Sequence, residues 1–201
     1  MPSDGFVHHQ KYLDIATQQD LLSAINGVIA HAPYYTPTMP RTGKPLSVRM
    51  TNCGTLGWLT DAAGGYRYEP VHPVTGVPWP PMPARLRDLW ETLLPGAPAP
   101  EACLINRYEG SAKLGLHRDE DEDDKTTPVL SISLGDTAIF RVGGLRRRDP
   151  TTRISLGSGD VVILGRAARL AYHGVDRIAA GTSPLPGLDG RINLTLRRVT
   201  A

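Results

Sequence analysis

Lys113–Asp124 reads KLGLHRDEDEDD, and its alternation decides how the surrounding chain is read. In an extended strand successive side chains point to opposite faces. Lys113, Gly115, His117 and Asp119 therefore share one face, and Leu114 and Leu116 take the core-facing other. An imidazole and a carboxylate two residues apart on one face are adjacent ligands for a divalent metal. A second histidine would complete a two-histidine, one-carboxylate set, which leaves coordination positions open and suits ferrous oxygenases. By itself HxD is unspecific, because a strand end running into a solvated acidic turn looks the same.

Outward from this stretch, short apolar runs alternate with turn residues. They predict strands over 103–108, 114–119, 129–134, 138–142, 153–156, 160–164, 171–175 and 191–199, separated by Gly110, Gly135, Gly143-Gly144 and Ser158-Gly159. Eight short strands at this spacing predict a mainly β protein, a sandwich or double-sheet jelly roll with flanking α-helices packed outside.

The N-terminal half is less regular. Leu21, Leu22, Ile25, Val28 and Ile29 recur at helical spacing, predicting a helix over 17–30 with Thr17 as its cap and Asp20 completing a capping box. A strand is expected over 46–52, then a turn at Gly64-Gly65 within a hairpin holding Trp58 and Tyr66. On pattern alone those two aromatics read as packing residues. Nine of the 18 prolines fall between Pro70 and Pro100, which predicts a rigid connector. Inside it Pro83 opens a short helix that runs to Leu94. His8, His9 and His31 read as surface residues, and His72 has no evident partner.

Composition bounds the partners. The 201 residues suit one domain, and a net charge of +2 leaves any nucleic-acid surface to a local patch. Cys53 and Cys103 lack CxxC spacing and read as free thiols of a reducing cytoplasm. No apolar run approaches membrane-spanning length.

Two further pieces bear on the HxD. His173, several strands later, is placed as a distal third ligand would be. In RINLTLR, Arg191, Asn193, Thr195 and Arg197 share one face and Ile192, Leu194 and Leu196 the other. Two arginines inside a β core need a partner, and a dicarboxylate gripped by guanidinium forks would supply it. Asn106 and Tyr108, on one face of LINRY, would add hydrogen bonds. A solvated edge strand would carry the same residues, although with less reason to alternate so cleanly.

HxD with a distal histidine and a final RxNxTxR resembles the AlkB family of Fe(II)/2-oxoglutarate-dependent dioxygenases that repair alkylated nucleic acids. MTNCGTLGW, YEPVHP to PWPPMP, ACLINRY, AKLGLHRDEDE, SISLG, AIFRVGGLRRRDP and RINLTLR match its bacterial pattern in order, over nearly the whole chain from about Ala16. The resemblance implies a double-stranded β-helix (jelly roll) core over about 101–201. The N-terminal helices, a β-hairpin nucleotide-recognition lid and the connector would precede it, all in one domain spanning 1–201.

It also implies site roles. His117, Asp119 and His173 would hold Fe(II). Arg191, with Asn106, Tyr108, Ser131, Asn193 and Arg197, would hold 2-oxoglutarate, and O2 is the second co-substrate. Met50, Trp58 and Tyr66 would form the lid, with Asp121 and Glu122 near the base and Arg147 at the pocket. Arg146 and Arg148, with Lys113 and Arg169, would reach phosphate, while Asp123 and Asp124 would be a solvated turn. The implied partner is alkylated single- or double-stranded DNA, or RNA, met by a cytoplasmic monomer. A dioxygenase of tRNA or protein is the alternative, and a non-catalytic jelly-roll module the more distant one. Leu164, Gly115 and Ala171 depart from the family pattern, which bears on lesion preference and rate.

Overall fold

The computed structural model describes residues 4–201, which form twelve strands and two α-helices. The strands are β1 (Phe6–His9), β2 (Arg49–Gly54), β3 (Gly57–Asp61), β4 (Gly65–Glu69), β5 (Ala102–Tyr108), β6 (Leu114–His117), β7 (Val129–Gly135), β8 (Thr137–Val142), β9 (Thr152–Leu156), β10 (Val161–Leu164), β11 (His173–Ala179) and β12 (Arg191–Arg197). A major sheet runs β1-β10-β7-β12-β5-β2, a minor one β6-β11-β8-β9, and β3 pairs with β4 alone. Every pairing is antiparallel. This is the expected mainly β jelly roll.

The two helices, α1 (Ile15–His31) and α2 (Ala84–Leu93), cover the outer face of the major sheet. Leu21, Ile25, Leu86 and Trp90 pack there on Ile105, Ile132, Leu194 and Leu196. A second apolar cluster, including Leu104, Val129, Phe140, Val162 and Val175, fills the space between the two sheets. The site opens from this inner layer. Alternation on β12 thus puts its leucines under the helices and its polar residues inside the sandwich.

The structure corrects several local expectations. The cap of α1 is Asp14, whose Oδ1 accepts the Thr17 backbone N–H at 2.8 Å, and not Thr17 itself. The strand expected over 46–52 begins later, at Arg49, because Leu46 N–H is already bonded to Pro37 O outside any ladder. Strand β1 was not foreseen; it pairs with β10 and makes one edge of the major sheet, while β2 makes the other. On β1, His8 is no surface residue, since its Nε2 lies 2.9 Å from Asp160 Oδ2. His72 is buried and bonded through Nε2 to Pro33 O at 2.8 Å, with Nδ1 facing the Val74 and Thr75 amides. It is therefore a brace of the connector. Cys53 and Cys103 are free, buried and directly opposite across β2 and β5.

Candidate active site

Strand β6 is one of the two edge strands of the minor sheet and ends at His117, so Asp119 stands in the loop just beyond it. His117 and His173 face each other as Cα partners across β6 and β11, with ring centroids 4.5 Å apart. Their Nε2 atoms lie 3.8 and 3.9 Å from the two oxygens of Asp119. One ligand atom from each of the three falls within 4.8 Å of the others.

The tautomers follow from the partners of Nδ1. His117 Nδ1 is 2.9 Å from Gly115 O and His173 Nδ1 is 2.9 Å from Ala171 O. A carbonyl only accepts, so both Nδ1 atoms carry the proton and both Nε2 lone pairs point at the shared site. Burial, reinforced by His173, pushes the His117 pKa down to about 4, which keeps the imidazole neutral. Burial alone would raise Asp119, but the Arg197 guanidinium beside it holds its carboxyl well below the usual carboxylate range. Two neutral imidazoles and one carboxylate are the donor set of a ferrous centre with open positions. Two of the departures from the family pattern, Gly115 and Ala171, thus act here through backbone carbonyls, which a change of side chain does not remove.

The close pairing of β6 with β11 depends on Gly174. A Cβ there would meet Leu114 O at 2.7 Å and Gly115 O at 2.9 Å, both backbone atoms that cannot swing away. Gly174→Ala is expected to lever β6 off β11 and separate the histidines. Mn(II) affinity should then fall by about 10–100-fold, the usual size of an orienting-shell loss. Unchanged Mn(II) titration would show that β6 yields without cost.

Behind the metal site lies the polar face of β12. Arg191 is buried, donates from Nη2 to Ser133 Oγ at 3.0 Å and lies 5.2 Å from the Tyr108 ring centroid. Its Nε and Nη1 have no partner. Asn193 Nδ2 donates to Ser131 Oγ at 2.8 Å, and Asn106 Oδ1 on the neighbouring strand is buried and unpartnered. Arg197 donates from Nη2 to Asp119 Oδ1 at 2.9 Å and leaves Nε unpartnered. Unsatisfied buried polar atoms are costly. The residues that carry them, together with Asp119, all line one cavity of about 430 Å³, the arrangement expected of a pocket for a small dianion beside a cation.

The hairpin β3–β4 stands over this cavity. Trp58 and Tyr66 stack with centroids 5.8 Å apart at 24°, and Trp58 Nε1 donates to Asp121 Oδ2 at 2.8 Å. Met50 lines the same cavity but belongs to β2 of the major sheet, not to the hairpin. Arg147 reaches the Leu116 carbonyl at 2.7 Å, and both it and Arg118 lie within 6.0 Å of the Tyr172 ring centroid.

Other residues are placed differently from expectation. Glu122 is buried and does not line the cavity; it accepts from Tyr68 Oη at 2.5 Å, Arg197 Nη1 at 3.1 Å and Arg169 Nη2 at 3.2 Å. Arg169 cannot reach phosphate. It is buried, and it donates to the backbone carbonyls of Asp119, Asp124 and Thr127. Asp124 is no solvated residue either, since it is buried and caps the turn through Thr126 and Thr127. Sequence reading passed over Tyr68 and Ser133; only strand parity could have drawn attention to them.

A jelly roll carrying this donor set beside a buried arginine pocket defines a 2-oxoglutarate-dependent Fe(II) oxygenase, and the profile of the 2OG-Fe(II) oxygenase superfamily matches residues 5–197. The alpha-ketoglutarate-dependent dioxygenase AlkB homolog of Caulobacter vibrioides (strain NA1000 / CB15N) is 53% identical over 194 residues, 96% of this chain and 87% of that one. The alpha-ketoglutarate-dependent dioxygenase AlkB of Escherichia coli (strain K12) is 46% identical over 184 residues, 90% and 84% of the two chains. The solved structure of OsALKBH1 superposes with a TM-score of 0.83 at 31% identity, covering 98% of this chain and 100% of that one. The chain belongs to the AlkB family of Fe(II)/2-oxoglutarate dioxygenases. Its cofactors are accordingly Fe(II), 2-oxoglutarate and O2. No helix among the described residues is long and apolar enough to cross a membrane.

Proposed function

We propose that the chain oxidatively demethylates N-alkylated bases such as 1-methyladenine and 3-methylcytosine in DNA, or in RNA. The observation that carries this reading is the Trp58–Asp121 hydrogen bond at the mouth of the metal cavity. It joins an aromatic face to a carboxylate where a flat cationic base would need both. Methylation at these nitrogens blocks pairing and leaves the base charged, so extrusion from the stack is cheaper than for an intact base.

In this reading His117, Asp119 and His173 hold Fe(II). Arg191, Asn106, Tyr108, Ser131, Asn193 and Arg197 hold 2-oxoglutarate, with Arg191 on the carboxylate remote from the metal. Trp58 supplies one face for the base, while Met50 and Tyr66 close the slot. Arg147 takes the strand at the rim, where exposed Arg146 and Arg148 supply phosphate contacts. Glu122 acts at one remove, through Arg197.

Bound Fe(II) and 2-oxoglutarate supply the oxidising chemistry, in which O2 and 2-oxoglutarate yield succinate, CO2 and a hydroxylated methyl group. The resulting hemiaminal loses formaldehyde and leaves the base restored. The protein's part is to hold the methyl carbon in place and exclude water. Residues 1–201 would work as one domain and as a monomer. The compartment we propose is the cytoplasm, where free thiols such as Cys53 and Cys103 persist.

The test is formaldehyde release from 1-methyladenine oligonucleotides of DNA and of RNA, with Fe(II), 2-oxoglutarate and O2, against controls lacking each. Succinate without formaldehyde on either would move the substrate search to folded RNA and protein. Asp121 allows a sharper check. Burial raises its pKa above the usual range, against the opposing Trp58 hydrogen bond. Activity on cationic lesions should therefore fall as pH drops through that raised value and the carboxylate is neutralised. Asp121→Ala should cost cationic lesions about ten-fold or more relative to neutral etheno adducts, because one nearby charge is worth on the order of a few kcal/mol before screening. Equal loss on both lesion types would sink the charge-matching idea.

A further inference from the structure

Hairpin β3–β4 has no ladder to either main sheet; besides the Trp58–Asp121 bond at the mouth of the cavity, it is tied to the ligand cluster itself by the Tyr68 hydroxyl. Tyr68, opposite Trp58 in the hairpin register, donates from Oη to Glu122 Oε1 at 2.5 Å and accepts from Arg197 Nη1 at 2.9 Å. The other nitrogen of that guanidinium fork, Nη2, holds Asp119 Oδ1 at 2.9 Å. Glu122 Oε2 in turn accepts from Arg169, whose Nη1 holds the Asp119 backbone carbonyl at 2.8 Å. The ligand carboxylate and its own peptide are thus braced by two arginines that share one glutamate. Two cations and two anions balance within a buried cluster, and the tyrosine is the hairpin's entry to it.

We propose that Tyr68 is a positioning residue that couples the hairpin to the metal and 2-oxoglutarate pocket through Arg197 and Glu122. The physical reason is the rigidity of guanidinium, which is planar and moves as a body. Asp119 on a cation, and an anion beside the unpartnered Arg197 Nε, set the plane of that fork. Its Nη1 then carries the change to the Tyr68 hydroxyl. Pocket loading steadies the hairpin by this route, and by reciprocity a seated base steadies the pocket. Tyr68 touches no reacting atom in this scheme.

The inference rests on reading β3–β4 as a lid over the cofactor pocket, but not on which nucleic acid it covers. Its test therefore omits substrate: amide hydrogen exchange over residues 57–69 of the full chain, with and without Mn(II) plus 2-oxoglutarate. In the wild type, loading should slow exchange of the hairpin by about five-fold or more, the lower range of coupling between sites. Tyr68→Phe, which removes only the hydroxyl, should cut that slowing to less than about two-fold and still bind Mn(II) and 2-oxoglutarate at the same stoichiometry. Glu122→Gln, which keeps the shape and drops the charge, should cut it as well. Equal slowing in wild type and Tyr68→Phe, or none in the wild type, would overturn the coupling. A failed demethylation assay would leave these exchange results unaffected, so the two readings fail separately.

Discussion

His173→Ala is expected to abolish formaldehyde release and 2-oxoglutarate turnover together, by at least about 1000-fold, since even orienting-shell losses cost 10–100-fold. His173 supplies one of only two imidazoles at the site and faces Asp119 Oδ2, which has no hydrogen-bond partner of its own. The ring also lies 5.8 Å from Phe140 within a wall of the sandwich. Its loss therefore leaves a small polar cavity while the two sheets stay paired. Thermal unfolding should move by a few degrees only, consistent with about 1–3 kcal/mol for one truncated buried side chain. A variant that still released formaldehyde would remove His173 from the metal set.

The second large effect falls on Arg191. Burial disfavours its charge and pushes its pKa down, and two nitrogens of this cavity-lining residue are buried without partners. Such a group is held for a ligand at some expense to the empty protein. Arg191→Met should raise the KM for 2-oxoglutarate by about 100-fold or more, as truncating one partner of a buried ion pair costs 2–5 kcal/mol. The unliganded variant should be as stable as the wild type or more so, because apolar replacements of buried charges are often neutral or stabilising. The two measurements separate binding from folding: 2-oxoglutarate should raise the melting temperature of the wild type and leave that of Arg191→Met unmoved. A retained thermal shift would place the dicarboxylate elsewhere.

Much of this was legible in the sequence because alternation and glycine breaks are local signals. All eight strands expected from Cys103 onward are present, and the parity of RINLTLR alone put Arg191, Asn193, Thr195 and Arg197 on one face. What escaped was non-local. FVHH is too short to announce a strand until β10 lies beside it. Arg169, in RAARL, looks like a surface cation until its carbonyl partners come together from Asp119, Asp124 and Thr127. Glu122 reads as one more acid in DEDEDD, and nothing in the chain connects it with Tyr68 and Arg197, which reach it across the fold. Asp14 and Thr17 are both good caps, and only the position of the first helical turn chooses between them.

Strand β12 lies between β7 and β5 at the middle of the major sheet. A slip of one residue against either neighbour would exchange its faces. Ile192, Leu194 and Leu196 would then enter the cavity, and two arginines would be driven under the helices. No molecule in that state could hold the dicarboxylate, and few could tolerate the buried charge. On the proposed reading, the strand that would supply the co-substrate anchors also proofreads assembly, and ligand-binding capacity would serve as a count of correctly registered molecules.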